Sequence, residues 1–190
     1  MRCFGEGDAL YSGYHDTEWG RPVRTVQGLY ERICLEGFQS GLAWITVLRK
    51  REALREVFHG FDPAVVADLD VTPLLEDARL IRSRAKLQAC VTNARATLEL
   101  GDGLVDLVWG HRYDGPAPEA WAAVPAQTEA SVALAKALKR TGFVFVGPTT
   151  AYATLQACGV VDDHLAGCPV RADVESLRLT QSKGSRPSTP

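Results

Sequence analysis

The two ends of the chain carry a matched set of possible metal ligands. Cys3 and His15 lie near the start of the 190-residue sequence, and His164 and Cys168 lie near its end. A spacing of four residues puts the side chains of His164 and Cys168 on one side of a helix. Two thiolates and two imidazoles suit a tetrahedral zinc ion with no position left for a catalytic water. Either the fold joins its two ends around one structural ion, or these are unconnected polar residues near the termini.

The composition is that of a soluble globular protein, 46% hydrophobic and 23% charged, and predicts one compact domain, which we place at residues 1–170. No apolar run approaches the roughly 18–20 residues of a membrane span, and the N-terminus lacks the apolar core of a signal peptide. We therefore expect a cytoplasmic monomer with no membrane contact and with reduced cysteines. Cys34, Cys90 and Cys158 follow helical apolar patterns and are expected in the core.

Apolar residues recur at helical spacing through most of the sequence, which predicts an all-α fold. The predicted helices are Val26 to Gly37, Leu42 to Phe58, a short helix that opens at Asp62-Pro63, Leu74–Ile81, Arg84–Leu100, Val105–Trp109, Glu129–Arg140 and Thr149–Cys158. Residues 142–146 are the only convincing β-like run, and it is very short. Residues 171–190 have the composition of a disordered tail.

Glu36 departs from the pattern of its helix. On a helical wheel it lies about 20° from Leu29 and close to Ile33, inside an apolar stripe, whereas Arg32 points away from the stripe's centre. A carboxylate that faces inward must be paired, protonated or reserved for a ligand. The sequence leaves open a buried salt bridge, a cap for the next helix, and a ligand-binding role.

Aromatic residues lie close to this carboxylate in the sequence. Tyr11, Tyr14 and Trp19 precede it, and Gln39 and Trp44 follow it. Aromatic rings around a carboxylate can bind a flat cation, because the rings stack on its faces while the negative charge meets its edge. The plainer interpretation is that these rings are ordinary core.

A helix, a glycine-containing turn and a second helix follow one another near the C-terminal end. The predicted turn runs from Arg140 to Gly147, and Pro148 opens the second helix. Gly142 and Gly147 allow a partner to approach the backbone closely. The free N–H groups at the helix start, from Thr149 onward, would bind an anion such as a DNA phosphate. Many ordinary helix pairs share this pattern.

Basic residues concentrate in two places although the formal net charge is −2. The clusters are Arg79, Arg82, Arg84, Lys86 and Arg95, and then Lys136, Lys139 and Arg140. The net charge argues against a protein that coats nucleic acid. The clusters are either solvated helix faces or a local contact with a phosphate backbone.

Six segments together carry a specific resemblance to a known family. They are Tyr14–Gly20 (YHDTEWG), Ile33–Gly37 (ICLEG), Gly41–Leu48 (GLAWITVL), Ile81–Lys86 (IRSRAK), Gly142–Gly147 (GFVFVG) and Asp163–Cys168 (DHLAGC). With these segments the sequence resembles the bacterial 3-methyladenine DNA glycosylase I family, within the helix-hairpin-helix DNA glycosylase superfamily. The resemblance covers roughly residues 2–168.

The resemblance implies a helix-hairpin-helix glycosylase fold that acts on alkylated double-stranded DNA. It implies excision of N3-methyladenine by hydrolysis of the N-glycosidic bond, with no lyase step and no cofactor for the cleavage. It also implies a structural zinc ion on the four terminal ligands Cys3, His15, His164 and Cys168. The implied base pocket consists of Glu36, Tyr14 and Trp44, with Trp19 and Tyr11, and Gln39 stands beside it.

Two positions depart from what the resemblance leads us to expect. Phe38 stands where relatives are expected to have a polar Gln, which would make one pocket wall more apolar. Asp162 stands near the place where many helix-hairpin-helix glycosylases have a catalytic acid. It is either that acid or a cap and partner for His164, and the second role is favoured here.

The lesion itself suggests the mechanism. Methylation at N3 gives adenine a positive charge, so the base departs with little further protonation. The enzyme has to extrude the nucleotide, hold the cationic base through Glu36 and the rings, and stabilise an oxocarbenium-like sugar while water attacks. Two other classes remain possible at this stage: a zinc-dependent hydrolase with an open metal position, and a DNA-binding protein that does not cleave.

Overall fold

The computed structural model describes residues 1–182, and all regular structure in that range is helical. The α-helices are α1 (Ala9–Thr17), α2 (Val26–Gln39), α3 (Trp44–Val57), α4 (Pro63–Val66), α5 (Arg84–Leu100), α6 (Gly103–Trp109), α7 (Glu129–Arg140), α8 (Pro148–Ala157) and α9 (Arg171–Ser182). Short 3-10 turns occur at His59–Phe61, Pro73–Leu75 and Trp121–Ala123. The predicted all-α class is confirmed. No helix within the described range is long and apolar enough to cross a bilayer.

Helix α2 runs through the middle of the molecule. It begins after Thr25, whose side chain accepts a hydrogen bond from the Gly28 N–H. It packs against α3, α5, α6 and α8, and every residue from position 32 to position 38 is buried. The helical pattern places Arg32 away from the centre of the apolar stripe, but this position does not expose it to solvent. Because other helices cover α2 on several sides, Arg32 is buried as well.

Two apolar cores lie on different sides of α2. Leu35 and Phe38 belong to the core that contains α1, α3 and the first part of α5, while Leu29 and Ile33 belong to the core formed with α6, α7 and α8. The predicted core cysteines are confirmed, with Cys34 and Cys90 in the first core and Cys158 in the second. Glu36 therefore lies on a helix that joins the two cores.

The helix predicted at Leu74–Ile81 was wrong. Only the 3-10 turn Pro73–Leu75 forms there, followed by irregular chain. The Asp77 carboxylate accepts a hydrogen bond from the Arg79 N–H at 2.9 Å. An aspartate that binds the backbone two residues ahead favours a turn over a helix.

The disordered tail predicted from residue 171 was wrong for Arg171–Ser182, which forms α9. The side chain of Val174 is fully buried. The Arg178 guanidinium donates to the carbonyls of Gly159 and Val160 at 2.7 and 2.9 Å. One apolar side chain and one buried arginine thus attach a mostly polar helix to the domain. Residues 183–190 of the predicted tail lie outside the described residues.

Candidate active site

A pocket of about 200 Å³ opens beside α2. It is lined by Phe4, Tyr11, Tyr14, Trp19, Glu36, Gln39, Trp44, Trp121, Ala153 and Gln156, and we call it the aromatic pocket. All six residues that the sequence suggested for base recognition are among these. Pockets for drug-sized ligands have about 300–1,000 Å³, so the aromatic pocket suits a smaller ligand.

Helix α1 supplies one wall of the aromatic pocket, although the sequence patterns did not predict this helix. Asp8 caps it by accepting a hydrogen bond from the Tyr11 N–H. The spacing of Tyr11, Tyr14 and His15 then places these three side chains on one side of the helix. That combination of an aspartate cap with helical aromatic spacing was a usable signal.

Aromatic rings make up most of the surface of the pocket. The ring centroids of Tyr14 and Trp44 lie 5.2 Å apart, and the Phe4 ring lies 4.9 Å from those of Tyr11 and Trp19. Trp121 is 46% exposed at the rim. The indole N–H of Trp44 is buried without a hydrogen-bond partner among the described residues. The pocket therefore offers flat apolar surfaces and one free donor.

The sequence patterns missed four lining residues: Phe4, Trp121, Ala153 and Gln156. Phe4 follows a predicted metal ligand, so its place near the site was open to inference. Trp121 lies outside every helix predicted from the sequence, and nothing in its local pattern pointed to a site. Phe38 is not among the lining residues; it is buried in the first core, so the expected apolar wall at that position was wrong.

Glu36 is buried at 5% exposure and has neither an ion pair nor a hydrogen bond among residues 1–182. It does not cap the next helix, since the N-cap of α3 is Ala43 and has no side-chain cap. Two of the three roles left open by the sequence are thereby removed. Burial raises the pKa of Glu36 to about 8, and the positive charge of Arg32 opposes that rise. A ligand that supplies positive charge would favour the ionised form.

The four terminal residues proposed as metal ligands come together as predicted, and we call them the cysteine–histidine cluster. Their ligand atoms all lie within 4.8 Å of one another. Cys168 Sγ lies 3.4 Å from His164 Nδ1 and 3.6 Å from His15 Nε2, and Cys3 Sγ lies 3.6 Å from His164 Nδ1. Tetrahedral zinc with its usual bond lengths separates sulfur and nitrogen ligands by about 3.5 Å. The donor set and its spacing fit zinc.

Polar groups around the cluster hold both imidazoles in place. His15 Nδ1 lies 2.8 Å from Asp16 Oδ1, and Asp16 is held in turn by the guanidinium of Arg2. His164 Nε2 lies 3.1 Å from the Trp19 carbonyl oxygen. Burial lowers the pKa of His164 to about 4, so this imidazole is neutral at pH 7, as a metal ligand must be. Such outer partners are typical of protein metal sites.

The predicted turn between two helices is confirmed; we call residues 141–147 the hairpin turn. The β-like run within it forms no strand. Phe145 instead has a left-handed backbone, with φ of 57°. Gly147 is the N-cap of α8, has no side-chain cap, and has open space around a Cβ built on it. The first N–H groups of α8, near Thr149, are thus left for an outside partner.

A buried asparagine fixes the hairpin turn, and the sequence patterns did not identify it. Asn93 of α5 donates to the Val144 carbonyl at 3.2 Å and accepts from the Val144 N–H at 2.8 Å. On the other side, a Cβ added at Gly37 would lie 3.6 Å from Phe145 Cβ. The hairpin turn therefore packs directly against α2, next to Glu36.

The two basic clusters contain both paired and exposed side chains. Arg79 is paired with Asp77 and Glu56, and Lys86 donates to carbonyls at the end of α2. Arg82 and Arg84 are exposed. At the end of α7, close to the hairpin turn, the exposed cations are Lys136, Lys139 and Arg140. Only part of the first cluster is thus available for a phosphate backbone.

Asp162 lies apart from the aromatic pocket. Its Oδ1 accepts a hydrogen bond from the His164 N–H at 3.1 Å and lies 3.8 Å from Arg171 Nη1. It does not line the pocket. This placement favours the role of a partner for His164 over that of an acid beside a bound ligand.

These arrangements define a helical protein with a small aromatic pocket around a buried carboxyl group and an uncapped helix start on the neighbouring α8. The comparisons with known proteins agree with that class. The methyladenine glycosylase family matches residues 4–172. The chain therefore belongs to the methyladenine glycosylase family, whose enzymes hydrolyse N-glycosyl bonds.

Close relatives extend over nearly the whole chain. The DNA-3-methyladenine glycosylase of Haemophilus influenzae is 48% identical over 181 residues, which cover 90% of this chain and 97% of that protein. DNA-3-methyladenine glycosylase 1 of Escherichia coli is 49% identical over 170 residues, 85% of this chain and 91% of its own length. A crystal structure of a 3-methyladenine DNA glycosylase I has a TM-score of 0.86 and 45% identity, covering 89% of this chain and 98% of that one.

Proposed function

We propose that this protein removes 3-methyladenine from alkylated double-stranded DNA by flipping out the damaged nucleotide and hydrolysing its N-glycosidic bond, without a lyase step. The observation that carries the proposal is Glu36, a buried carboxylate in an aromatic pocket with no hydrogen bond or ion pair to any residue of the range 1–182. A carboxylate in this setting gains most from a cation, and adenine methylated at N3 is a flat cation. The names of the relatives support the same substrate.

Base flipping follows from the position of the pocket. Glu36 is buried, so a base that reaches it has to leave the duplex stack. Extrusion costs a few kcal/mol, less for a damaged base that pairs poorly. Helix α8 contributes Ala153 to the pocket and Thr149 to the anion-binding start, four residues or about 6 Å apart along the axis. A phosphate bound at the helix start would thus lie close to the extruded nucleotide.

The residues of the pocket supply recognition, and the leaving group supplies most of the driving force. Glu36 accepts hydrogen bonds from the N–H edge of the base and stabilises its charge. The rings of Tyr14 and Trp44 stack on its faces, and the free indole N–H of Trp44 is available to a ring nitrogen. Because the base already carries a positive charge, the reaction needs no strong general acid, which agrees with the position of Asp162 outside the pocket.

The cysteine–histidine cluster is proposed to hold a structural zinc ion. Four protein ligands fill a tetrahedral coordination shell, so no position is open for an activated water. The cluster also touches the aromatic pocket through its sequence neighbours Phe4 and Tyr14. Its role is to hold those segments in place, and the zinc-hydrolase alternative is disfavoured on the same ground.

Release of free base tests the function directly. Duplex DNA treated with a methylating agent, incubated with the protein, is expected to release 3-methyladenine and leave abasic sites without strand cleavage, because hydrolysis stops at the sugar. Unmethylated duplex and heat-denatured protein serve as controls. Binding of methylated DNA with no base release would instead support the non-cleaving DNA-binding class, and strand breaks without alkali would contradict the absence of a lyase step.

Substitution of Gly147 tests the phosphate site at the hairpin turn. Gly147→Asp is expected to weaken binding to all duplexes at least about fivefold, because a new negative charge near a phosphate costs about 1 kcal/mol even in water. Folding should be retained, since the Cβ meets no neighbour and aspartate is a favourable N-cap. The matched control is Gly147→Asn, which has the same shape without the charge. Titrations with two unrelated duplexes provide the measurement; an effect on one sequence only would argue against a phosphate contact.

A further inference from the structure

A group of buried charges lies behind the aromatic pocket. Arg51 donates to both carboxylate oxygens of Glu18 at 2.7 and 2.8 Å, and Arg32 Nη2 donates to the same carboxylate at 3.0 Å. Both arginines are less than 10% exposed, whereas Glu18 is 27% exposed. We call these three residues the charge cluster. Two buried guanidinium groups share one carboxylate, so the cluster carries a net positive charge.

Glu36 lies on the same helix as Arg32 and has no ion pair or hydrogen bond of its own among residues 1–182. It follows Arg32 by four residues in α2, which places both side chains on one side of the helix. The second terminal nitrogen of Arg32, Nη1, is buried and has no hydrogen-bond partner among the described residues. Arg51 donates to Glu18 through both terminal nitrogens; its Nε also has no hydrogen-bond partner among the described residues but lies 3.6 Å from the carboxylate of exposed Glu52.

The remaining titratable groups near Glu36 carry no charge at pH 7. Tyr11 and Tyr14 of α1 have raised pKa values because of burial, and burial raises the pKa of Cys158, at the end of α8, to about 12. Arg32 is thus the cation whose field reaches Glu36, and the charge of Arg32 lowers the pKa of this carboxyl against the effect of burial.

We propose that Arg32, held by Glu18, is a positioning residue that makes ionisation of Glu36 possible inside the aromatic pocket. The inference rests on the proposed function, in which the ionised Glu36 recognises a cationic base. Arg32 does not line the pocket. It acts through Glu36 by setting the pH above which the pocket accepts a cation, while Glu18 fixes the guanidinium and shields part of its charge.

The pH profile of single-turnover base release tests this role in Arg32→Gln, which keeps a donor for Glu18 but removes the charge. Without that charge the ionisation of Glu36 moves to higher pH, so the rising limb of the profile moves upward. For a shift of one pH unit from about 8, the loss is about tenfold at pH 7 and only about twofold at pH 9. Arg32→Lys, which retains a charge, is expected to restore most of the wild-type profile.

Two further variants separate this role from a structural one. Arg51→Gln removes an equally buried partner of Glu18 and is expected to move the limb upward by less than Arg32→Gln once rates are corrected for the folded fraction, because the charge that lowers the pKa of Glu36 is that of Arg32. Glu18→Gln unshields Arg32 and should move the limb to lower pH, which decides the question if Arg32→Gln fails to fold. The shift should disappear in a Glu36→Gln background, because Arg32 then has no carboxyl to act on.

Several results would overturn the inference. They are an equal loss at pH 7 and pH 9 in Arg32→Gln, an equally large shift in Arg51→Gln, an equal loss in the Glu36→Gln background, and a limb that stays in place or moves upward in Glu18→Gln. Failure of the proposed function is a separate result, since wild-type protein would then release no 3-methyladenine at any pH.

Discussion

Glu36→Gln is expected to lower single-turnover release of 3-methyladenine by about 30-fold. Removing one partner of a buried charge pair costs roughly 2–5 kcal/mol, or about 30-fold to several thousand-fold. The effect of Glu36→Gln should fall at the lower end of this range, because glutamine keeps the size and some of the hydrogen bonding of glutamate. The charge of the leaving group also still drives bond cleavage in the variant. Glu36→Ala should lose more. The measurement is the rate of base release with enzyme in excess over methylated DNA.

Glu31→Gln is the matched control for this experiment. Glu31 lies on the same helix and is paired with Arg55 at 2.7 Å, away from the aromatic pocket. Its variant should excise at the wild-type rate. A Glu36→Gln protein that is folded and fully active would refute the recognition role.

Thermal unfolding of Glu36→Gln is expected to show a gain in stability at pH 8, in contrast to the loss of activity. The pKa of Glu36 is raised from 4.5 to about 8 by burial, so the folded protein retains a proton that the unfolded chain releases between these values. The free energy of unfolding of the wild type should therefore decrease as the pH rises from about 4.5 to about 8. Glu36→Gln has no carboxyl group at this position and should not show this decrease. The variant should be the more stable protein at pH 8 and the slower enzyme.

Cys168→Ser is expected to lower zinc content and thermal stability together, before it abolishes base release. Native protein should contain about one zinc per chain, on the basis of its four-ligand cluster. A decrease of about 3 kcal/mol in the free energy of unfolding would lower Tm by roughly 6–12 °C for a chain of this size. The terminal segments, including the stretch from Tyr11 to Trp19, should loosen more than α2 or α5, as hydrogen exchange would show.

Cys158→Ala provides the comparison for the zinc experiment. Cys158 is also buried, but it lies in the second core and away from the cluster, so this variant should retain its zinc even if it loses some stability. Elemental analysis that finds metal-free native protein of full stability would overturn the zinc assignment.

The sequence predicted most of the long helices because each has a single dominant apolar pattern and clear ends. Helix α7, for example, begins after Thr128 with a capping box, and its observed range agrees with the predicted one. The segment 74–81 shows where such reasoning fails. Its apolar spacing fits a helix, but a local bond from Asp77 to the backbone stabilises a turn instead.

The candidate site was predictable where one residue conflicted with its surroundings. Glu36 stands out in an apolar stripe, and the terminal cysteines and histidines form a chemically coherent set. The partners across the fold were not predictable. Asn93 and Trp121 approach the site only through tertiary packing, and Arg32 is buried because helices surround α2, which the periodicity of one helix does not reveal.

The joining of the two ends has a consequence for biosynthesis. Translation runs from the N-terminus, so Cys3, His15 and most of the pocket aromatics emerge from the ribosome long before His164 and Cys168. Until His164 and Cys168 appear, the proposed zinc site cannot form, and the first segment is held to the chain by its contacts with α2 and α3. Contacts between such distant parts of a sequence form slowly. The cysteine–histidine cluster is therefore among the last features of the chain to form, and a ribosome that stalls shortly before residue 164 would leave it unfinished.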